Sequence, residues 1–154
     1  MEQERIDFFM ECATQAFNKV LSQLTGLNFT ADAAPIPPDS MKVTVIIGIT
    51  GQFKGRFLLE VDGATARKIT EGMNDGPLEQ DLELYLFLAE FTNMVSGNTI
   101  TKINNAYKTS DLRLVPPAIF SGTELEITTP HIKSRELYFG GDGRARINIG
   151  FEGV

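Results

Sequence analysis

The sequence is poor in the residue types that staple or metallate small proteins: one cysteine, one histidine and no tryptophan in 154 residues. A lone thiol, Cys12, can close no internal disulfide, and with His131 as the single imidazole no Cys/His metal cage can be built. Basic residues are also short, 14 Lys and Arg against 20 Asp and Glu, for a formal charge of −6. Without a cationic surplus to displace counterions the chain has no footing on nucleic acid, nor on an anionic membrane surface. No apolar run approaches the roughly 18 residues of a membrane span, and Met1-Glu2-Gln3-Glu4-Arg5 is too polar for a secretory signal. A cytoplasmic protein with no nucleic-acid and no membrane partner is expected, which makes Asn28-Phe29-Thr30 a chance glycosylation sequon. No low-complexity tract interrupts the chain, so residues 1–154 are expected to form a single domain, long enough to bury a core unaided.

What is present is strong periodicity. Ile6, Phe9, Ala13, Phe17, Val20 and Leu24 recur at helical spacing before Gly26, and the loop Pro35-Ile36-Pro37-Pro38 follows. Val43, Val45, Ile47 and Ile49 then alternate, and Phe57, Leu59 and Val61 repeat the alternation after Gly51-Gln52, which predicts an antiparallel hairpin. Asp62 is placed to cap a short helix carrying Ala66, Ile69 and Met73. After the turn Asn74-Asp75-Gly76-Pro77, one long helix is expected from about Leu78 to about Asn104, with Pro77 in its first turn and Glu79 and Asp81 beside the positive end of its dipole.

The remainder reads as strands: Leu112 with Leu114 before Pro116-Pro117, Leu125 with Ile127, Leu137 with Phe139, and Ala145, Ile147, Ile149 and Phe151. In the last of these Arg144, Arg146 and Asn148 are expected to face outward, and Gly140-Gly141-Asp142-Gly143 forms the preceding turn. The predicted fold class is α+β, long helices packed on one face of a mostly antiparallel β-sheet. Its edge strands are available for self-pairing, so a homodimer is expected.

Within the long helix, Leu84, Leu88, Phe91 and Val95 form one apolar stripe at about 100° per residue, widened by Phe87 and Met94. Ala89, Thr92 and Ser96 suit tight helix packing. Glu90 and Asn93 depart from the pattern; as an i,i+3 pair they lie side by side, their Cβ atoms about 5–6 Å apart. Leu86 and Gly97 fall on the same side. This face offers a carboxylate, an amide and a bare patch of backbone. Burying Glu90 without a cation would be costly, and exposure on a docking surface removes that cost. By spacing alone, a solvated helix glutamate and a tolerated asparagine are the better explanation of the pair, because Glu-x-x-Asn occurs often by chance.

Glu90-Phe91-Thr92-Asn93-Met94-Val95-Ser96-Gly97-Asn98 resembles the Glu-x-x-Asn-x-x-x-Gly-Asn helix of the CheX branch of the CheC/CheX/FliY chemotaxis phosphatases. Glu11-Cys12-Ala13-Thr14, leading through Phe17 to Gly26, is similar to the first helix of that family. The hairpin of Val43–Thr50 and Gly55–Val61 stands where the family has its own. Leu112 to Gly122, with Pro116-Pro117 and Ser121-Gly122, is similar to the family's strand and Pro-x-x-x-x-Gly stretch. The likeness runs from about Asp7 to about Phe151.

The resemblance implies hydrolysis of the aspartyl phosphate on a phosphorylated CheY-like receiver domain. Asn93 would position the attacking water and Glu90 would dock to the receiver's lysine. The receiver would hold the Mg²⁺, and this chain no cofactor and no metal. Leu86, Gly97 and Asn98 would border the docking surface. Some relatives carry a second Glu-x-x-Asn on the first helix; here Thr14 stands at the asparagine position, which implies one active site per chain. Family members pair through their sheets, which would give two sites per homodimer.

Other residues have plainer readings. His131 is placed in a loop without a nucleophile partner, Cys12 is expected to be packed and inert, and Gly140, Gly141 and Gly143 lack the Gly-Lys-Ser/Thr of a phosphate loop. Asp62, Asp75 and Asp81 read as caps and turn residues, and Asn104-Asn105 as a helix end. Two competing functions remain: a non-catalytic module that binds a receiver or a flagellar-switch component, and a hotdog-type thioesterase. The thioesterase is disfavoured because a hairpin precedes the main helix here and an extra helix opens the chain.

Overall fold

A computed structural model describes residues 3–108, 111–123 and 132–152. Its elements run α1 (Gln3–Leu24), β1 (Phe29–Ala31), β2 (Lys42–Thr50), β3 (Gly55–Asp62), α2 (Gly63–Asn74), α3 (Asp81–Ala106), β4 (Arg113–Leu114), β5 (Ala118–Gly122), β6 (Ile132–Gly141) and β7 (Arg144–Glu152). The strands make one sheet in the order β1-β6-β7-β3-β2-β4, with β5 also paired to β2, and every pairing is antiparallel. This is the expected class: three helices on one antiparallel sheet.

Alternation decides which face the helices cover. The register aligns Val45, Leu59 and Ile147 across three strands, and all three are fully buried in the core shared with the helices. From α1, Phe9 meets Phe151 edge-on at 5.1 Å and Phe17 meets Phe139 at 4.8 Å, with Phe91 of α3 at 6.0 Å. α1 ends where Thr25 and Gly26 N–H groups both donate to the Leu21 carbonyl, with Gly26 at a φ of 71° that favours glycine. Asp62 caps α2 by accepting from the Thr65 N–H at 2.8 Å, as its position predicts.

Four expectations need correcting or placing. First, α3 begins at Asp81 rather than Leu78. Gln80 is still extended, so Pro77 lies outside the helix; Glu83 reaches back from the first turn to accept the Glu79 N–H at 2.9 Å. Second, the helix runs on to Ala106. Asn104 does not end it: its carboxamide both donates to and accepts from the Leu112 backbone at 3.0 Å, pinning the returning chain.

Third, Arg146 and Asn148 lie on the sheet face away from the helices, yet neither is a solvated outward residue. Asn148 is 6% exposed, and Arg146 is clamped between Glu60 at 3.3 Å and Glu136 at 2.8 Å. Fourth, β1 and most of β5 come from sequence with no alternation to announce them, while Leu125, Ile127 and His131 lie outside the described residues. The turn at Gly140–Gly143 is present, and Asp142 there accepts the Asn28 N–H at 2.8 Å, tying β1 to the hairpin.

Candidate functional site

The long helix α3 has two unlike sides. Toward the core, Leu88, Phe91 and Val95 are fully buried and Leu84 nearly so. Thr92, Ser96 and Thr99 are buried among them, their hydroxyls donating to the carbonyls of Leu88, Thr92 and Val95 at 2.8 Å each. Polar side chains that satisfy themselves against their own helix can be buried between neighbours, so the packing role expected of Thr92 and Ser96 holds. Asp81 and Glu83 in the first turn sit favourably at the positive end of the dipole.

On the other side Leu82, Leu86, Glu90 and Asn93 are exposed, and Gly97 and Asn98 are half-buried. At about 100° per residue, Leu82, Leu86, Asn93, Gly97 and Glu90 fall within an arc of about 80°, a single stripe along the helix. Among the described residues neither the Glu90 carboxylate nor the Asn93 carboxamide has a hydrogen-bond or ion-pair partner in its own chain. The pair therefore stands on a helix locked by its opposite face, with both functional ends turned to solvent.

Asn98 is less free, because one N–H of its amide donates to the Met94 carbonyl at 2.8 Å, which leaves its oxygen and its second N–H to offer. Gly97 has a different character. A Cβ added there would meet nothing within 4 Å beyond the backbone of its own helix, so no packing inside the chain calls for a glycine.

The counterpart on α1 is not equivalent. Glu11 is exposed, but the Thr14 hydroxyl donates to the Met10 carbonyl at 2.9 Å and is bound up in the helix. Cys12 is buried, and burial pushes its thiol pKa up despite the opposing pull of Lys102, the condition of an unreactive cysteine. Among the described residues no group of three or more His, Cys, Asp or Glu side chains could hold a metal ion. Nor is any described helix long and apolar enough to cross a membrane.

Two features go beyond the expectations from the sequence. Leu82, one turn before Leu86, is exposed on the same stripe, which i,i+4 spacing could have shown. A cavity of about 230 Å³ opens beside the start of α3, lined by Met41, Val43, Arg67, Asp81, Leu84 and Tyr85 among others. Tyr85 is steadied there by a 3.2 Å hydrogen bond with Ser121 of β5. That cavity joins segments far apart in sequence, so no local pattern announces it.

Solved structures share this architecture. CheX from Vibrio vulnificus superimposes with a TM-score of 0.80 at 24% identity, covering 94% of this chain and 96% of that one. CheX from Desulfovibrio desulfuricans gives 0.81 at 17% identity, covering 94% and 99%. A CheX–CheY–BeF3–Mg²⁺ complex from Borrelia burgdorferi gives 0.74 at 21% identity, covering 94% and 98%. No curated protein matches the chain by sequence. The family model for the chemotaxis phosphatase CheX matches residues 43–152, which leaves no place for a hotdog-type thioesterase. That match takes in β2 through β7 and the whole of α3, most of the chain, and the protein belongs to the CheX family of chemotaxis phosphatases.

Proposed function

We propose that this protein hydrolyses the aspartyl phosphate of a phosphorylated CheY-like receiver domain in the cytoplasm, as a single domain with one active site. The observation that carries this reading is the Glu90–Asn93 pair, exposed on a rigid helix and unpartnered within the chain among the described residues. Receiver hydrolysis asks little covalent chemistry of a helper protein. Water attacks phosphorus in line, the bond from phosphorus to the aspartyl oxygen breaks, and the carboxylate leaves as inorganic phosphate forms. Positioning and charge stabilisation dominate such transfers. The Asn93 carboxamide can accept a hydrogen bond from the water and donate one toward the phosphoryl oxygens, with no change of protonation. Glu90, one turn away, gives the receiver's lysine an ionic partner and so fixes the docked orientation. The Mg²⁺ belongs to the receiver on this reading.

The carboxylate and amide alone would also serve a protein that binds a receiver or a flagellar-switch component and leaves its phosphate intact. Decay of a phosphorylated receiver, followed with and without this chain, separates the two. Accelerated decay is expected; an unchanged half-life at saturating protein overturns the phosphatase reading.

Gly97 carries an expectation of its own. Glycine inside a helix costs roughly 0.5–1 kcal/mol relative to alanine, and no side chain in this molecule requires it. A partner passing close to the bare backbone does. Gly97→Ala is expected to raise the melting temperature by about 2–4 °C while slowing receiver dephosphorylation several-fold. Thermal melts and decay assays on the same preparation check it, and an alanine variant with full activity removes Gly97 from the docking surface.

The proposed protein is a homodimer paired through its sheets, with two active sites per assembly. Of the free edges, β5 (Ala118–Gly122) carries no charge and exposes Phe120, whereas the stretch of β6 beyond β1 carries Lys133, Arg135 and Glu136. Edge charges oppose strand addition, so β5 is the edge assigned to self-pairing. Phe120→Lys is expected to give a monomer by light scattering.

A further inference from the structure

This inference rests on the receiver-docking reading and adds to it the place of the partner's apolar contact. Leu82 and Leu86 are 60% and 61% exposed, the two most exposed large hydrophobic side chains among the described residues. A single exposed leucine means little. Two at i,i+4, in line with Glu90 and Asn93, make a continuous apolar ledge on the one face of α3 that the core does not use. The 230 Å³ cavity opens at the same N-terminal end of α3, lined there by Asp81, Leu84 and Tyr85, and its wall residue Met41 is also exposed.

We propose that the receiver rests an aliphatic or aromatic side chain on Leu82 and Leu86 while its lysine meets Glu90, so that the ledge governs how tightly the receiver is held and Asn93 how fast it is hydrolysed. Continuity and charge both assign the occupant. A helical rise of 1.5 Å per residue puts Leu86 about 6 Å and Leu82 about 12 Å along the axis from Glu90. The partner's apolar residue must therefore lie about 6–12 Å from its lysine, toward the N-terminal end of α3. Asp81 and Glu83 flank Leu82, so the rim of the receiver that settles there is basic rather than acidic. An apolar centre within a charged rim is the usual anatomy of a specific protein contact.

The test is steady-state dephosphorylation by Leu82→Ala/Leu86→Ala beside Asn93→Ala, with binding of a BeF3-loaded receiver measured for each. Alanine keeps the helix and removes only the ledge. The leucine variant is expected to raise KM and the receiver Kd on the order of tenfold, with kcat within about twofold. Asn93→Ala is expected to lower kcat and leave Kd nearly unchanged. Unaltered KM and Kd in the leucine variant, with Asn93→Ala inactive, overturn the ledge and leave the phosphatase reading standing. Full activity in Asn93→Ala takes the water-positioning role from Asn93 and overturns the division of roles proposed here, whereas an unchanged receiver half-life with the parent chain overturns the phosphatase reading itself. A leucine variant whose mass falls to half by light scattering assigns the ledge to a second copy of this chain and also overturns the proposal.

Discussion

Asn93→Ala is expected to slow receiver dephosphorylation on the order of 10²-fold without lowering the melting temperature. Both halves follow from where the side chain is. Its carboxamide touches no group of its own chain among the described residues, so its removal leaves no cavity and no orphaned partner. Alanine is also the better helix former at an exposed position. What is lost is the fixed point that holds a water in line with the phosphorus. Asn93→Asp is the sharper variant: it keeps the size, removes the donating NH₂ and turns a negative charge toward a phosphoryl group, so it should fall at least as far. Rate against concentration of phosphorylated receiver checks both variants. The loss should appear in kcat, and a loss confined to KM would make Asn93 a docking residue. Glu90→Ala is expected to show the complementary pattern, weakening docking and rate together.

The parts of this molecule that repeat are legible in its sequence. Val43 to Ile49 and Ala145 to Phe151 alternate because one face of each strand is pressed on helices, and the hairpin and the final strand follow from that. The buried stripe of α3 is legible from its 3.6-residue period. The start of α3 is not, because Pro77 is as acceptable in a turn as in a first helical turn, and the deciding contact is Glu83 reaching back to Glu79. β1 is not, because three residues pairing with Gly140 and its neighbours depend on a distant hairpin rather than on their own pattern. For the candidate site, spacing places Glu90, Asn93, Leu86 and Gly97 on one face. Spacing does not show that the face is open, that Gly97 has empty space above it, or that Thr14 is tied to Met10. Those depend on what packs against each helix.

The same limit hides a buried electrostatic feature on the other face of the sheet. Alternation puts Arg146 on the side of β7 opposite Ile147, and a side away from the core normally means solvent. Here it means a row running across the sheet, Tyr138–Arg146–Glu60–Thr44, in which Arg146 is 14% and Glu60 10% exposed. Arg146 bonds Glu60 at 3.3 Å and Glu136 at 2.8 Å, and Glu60 also accepts from the Thr44 hydroxyl at 3.1 Å. Burial works against the Arg146 charge, but Glu60 and Glu136 outweigh it and hold the guanidinium pKa above its ordinary value. Arg146→Met would strand the Glu60 carboxylate with a single hydroxyl for company. Breaking a buried pair from one side costs about 3–5 kcal/mol.

The lower end applies here, because Arg56 lies close enough that burial and then repulsion by Arg146 depress its own pKa, and that repulsion is relieved in the variant. The expected loss is therefore about 3 kcal/mol, read as a lower urea midpoint with an unchanged slope. Glu60→Met added to Arg146→Met is expected to recover most of it, since two apolar side chains replace the pair without leaving a charge behind. By contrast Arg67, half-exposed and 3.5 Å from Glu71 on α2, should tolerate alanine within about 0.5 kcal/mol. Below its melting range the Arg146 variant should still dephosphorylate the receiver normally, because the row it disturbs lies on the face of the sheet that Glu90 and Asn93 do not share. A variant that loses activity while fully folded would mean that the two faces of the sheet are coupled, and that Arg146 acts on the receiver contact through the sheet.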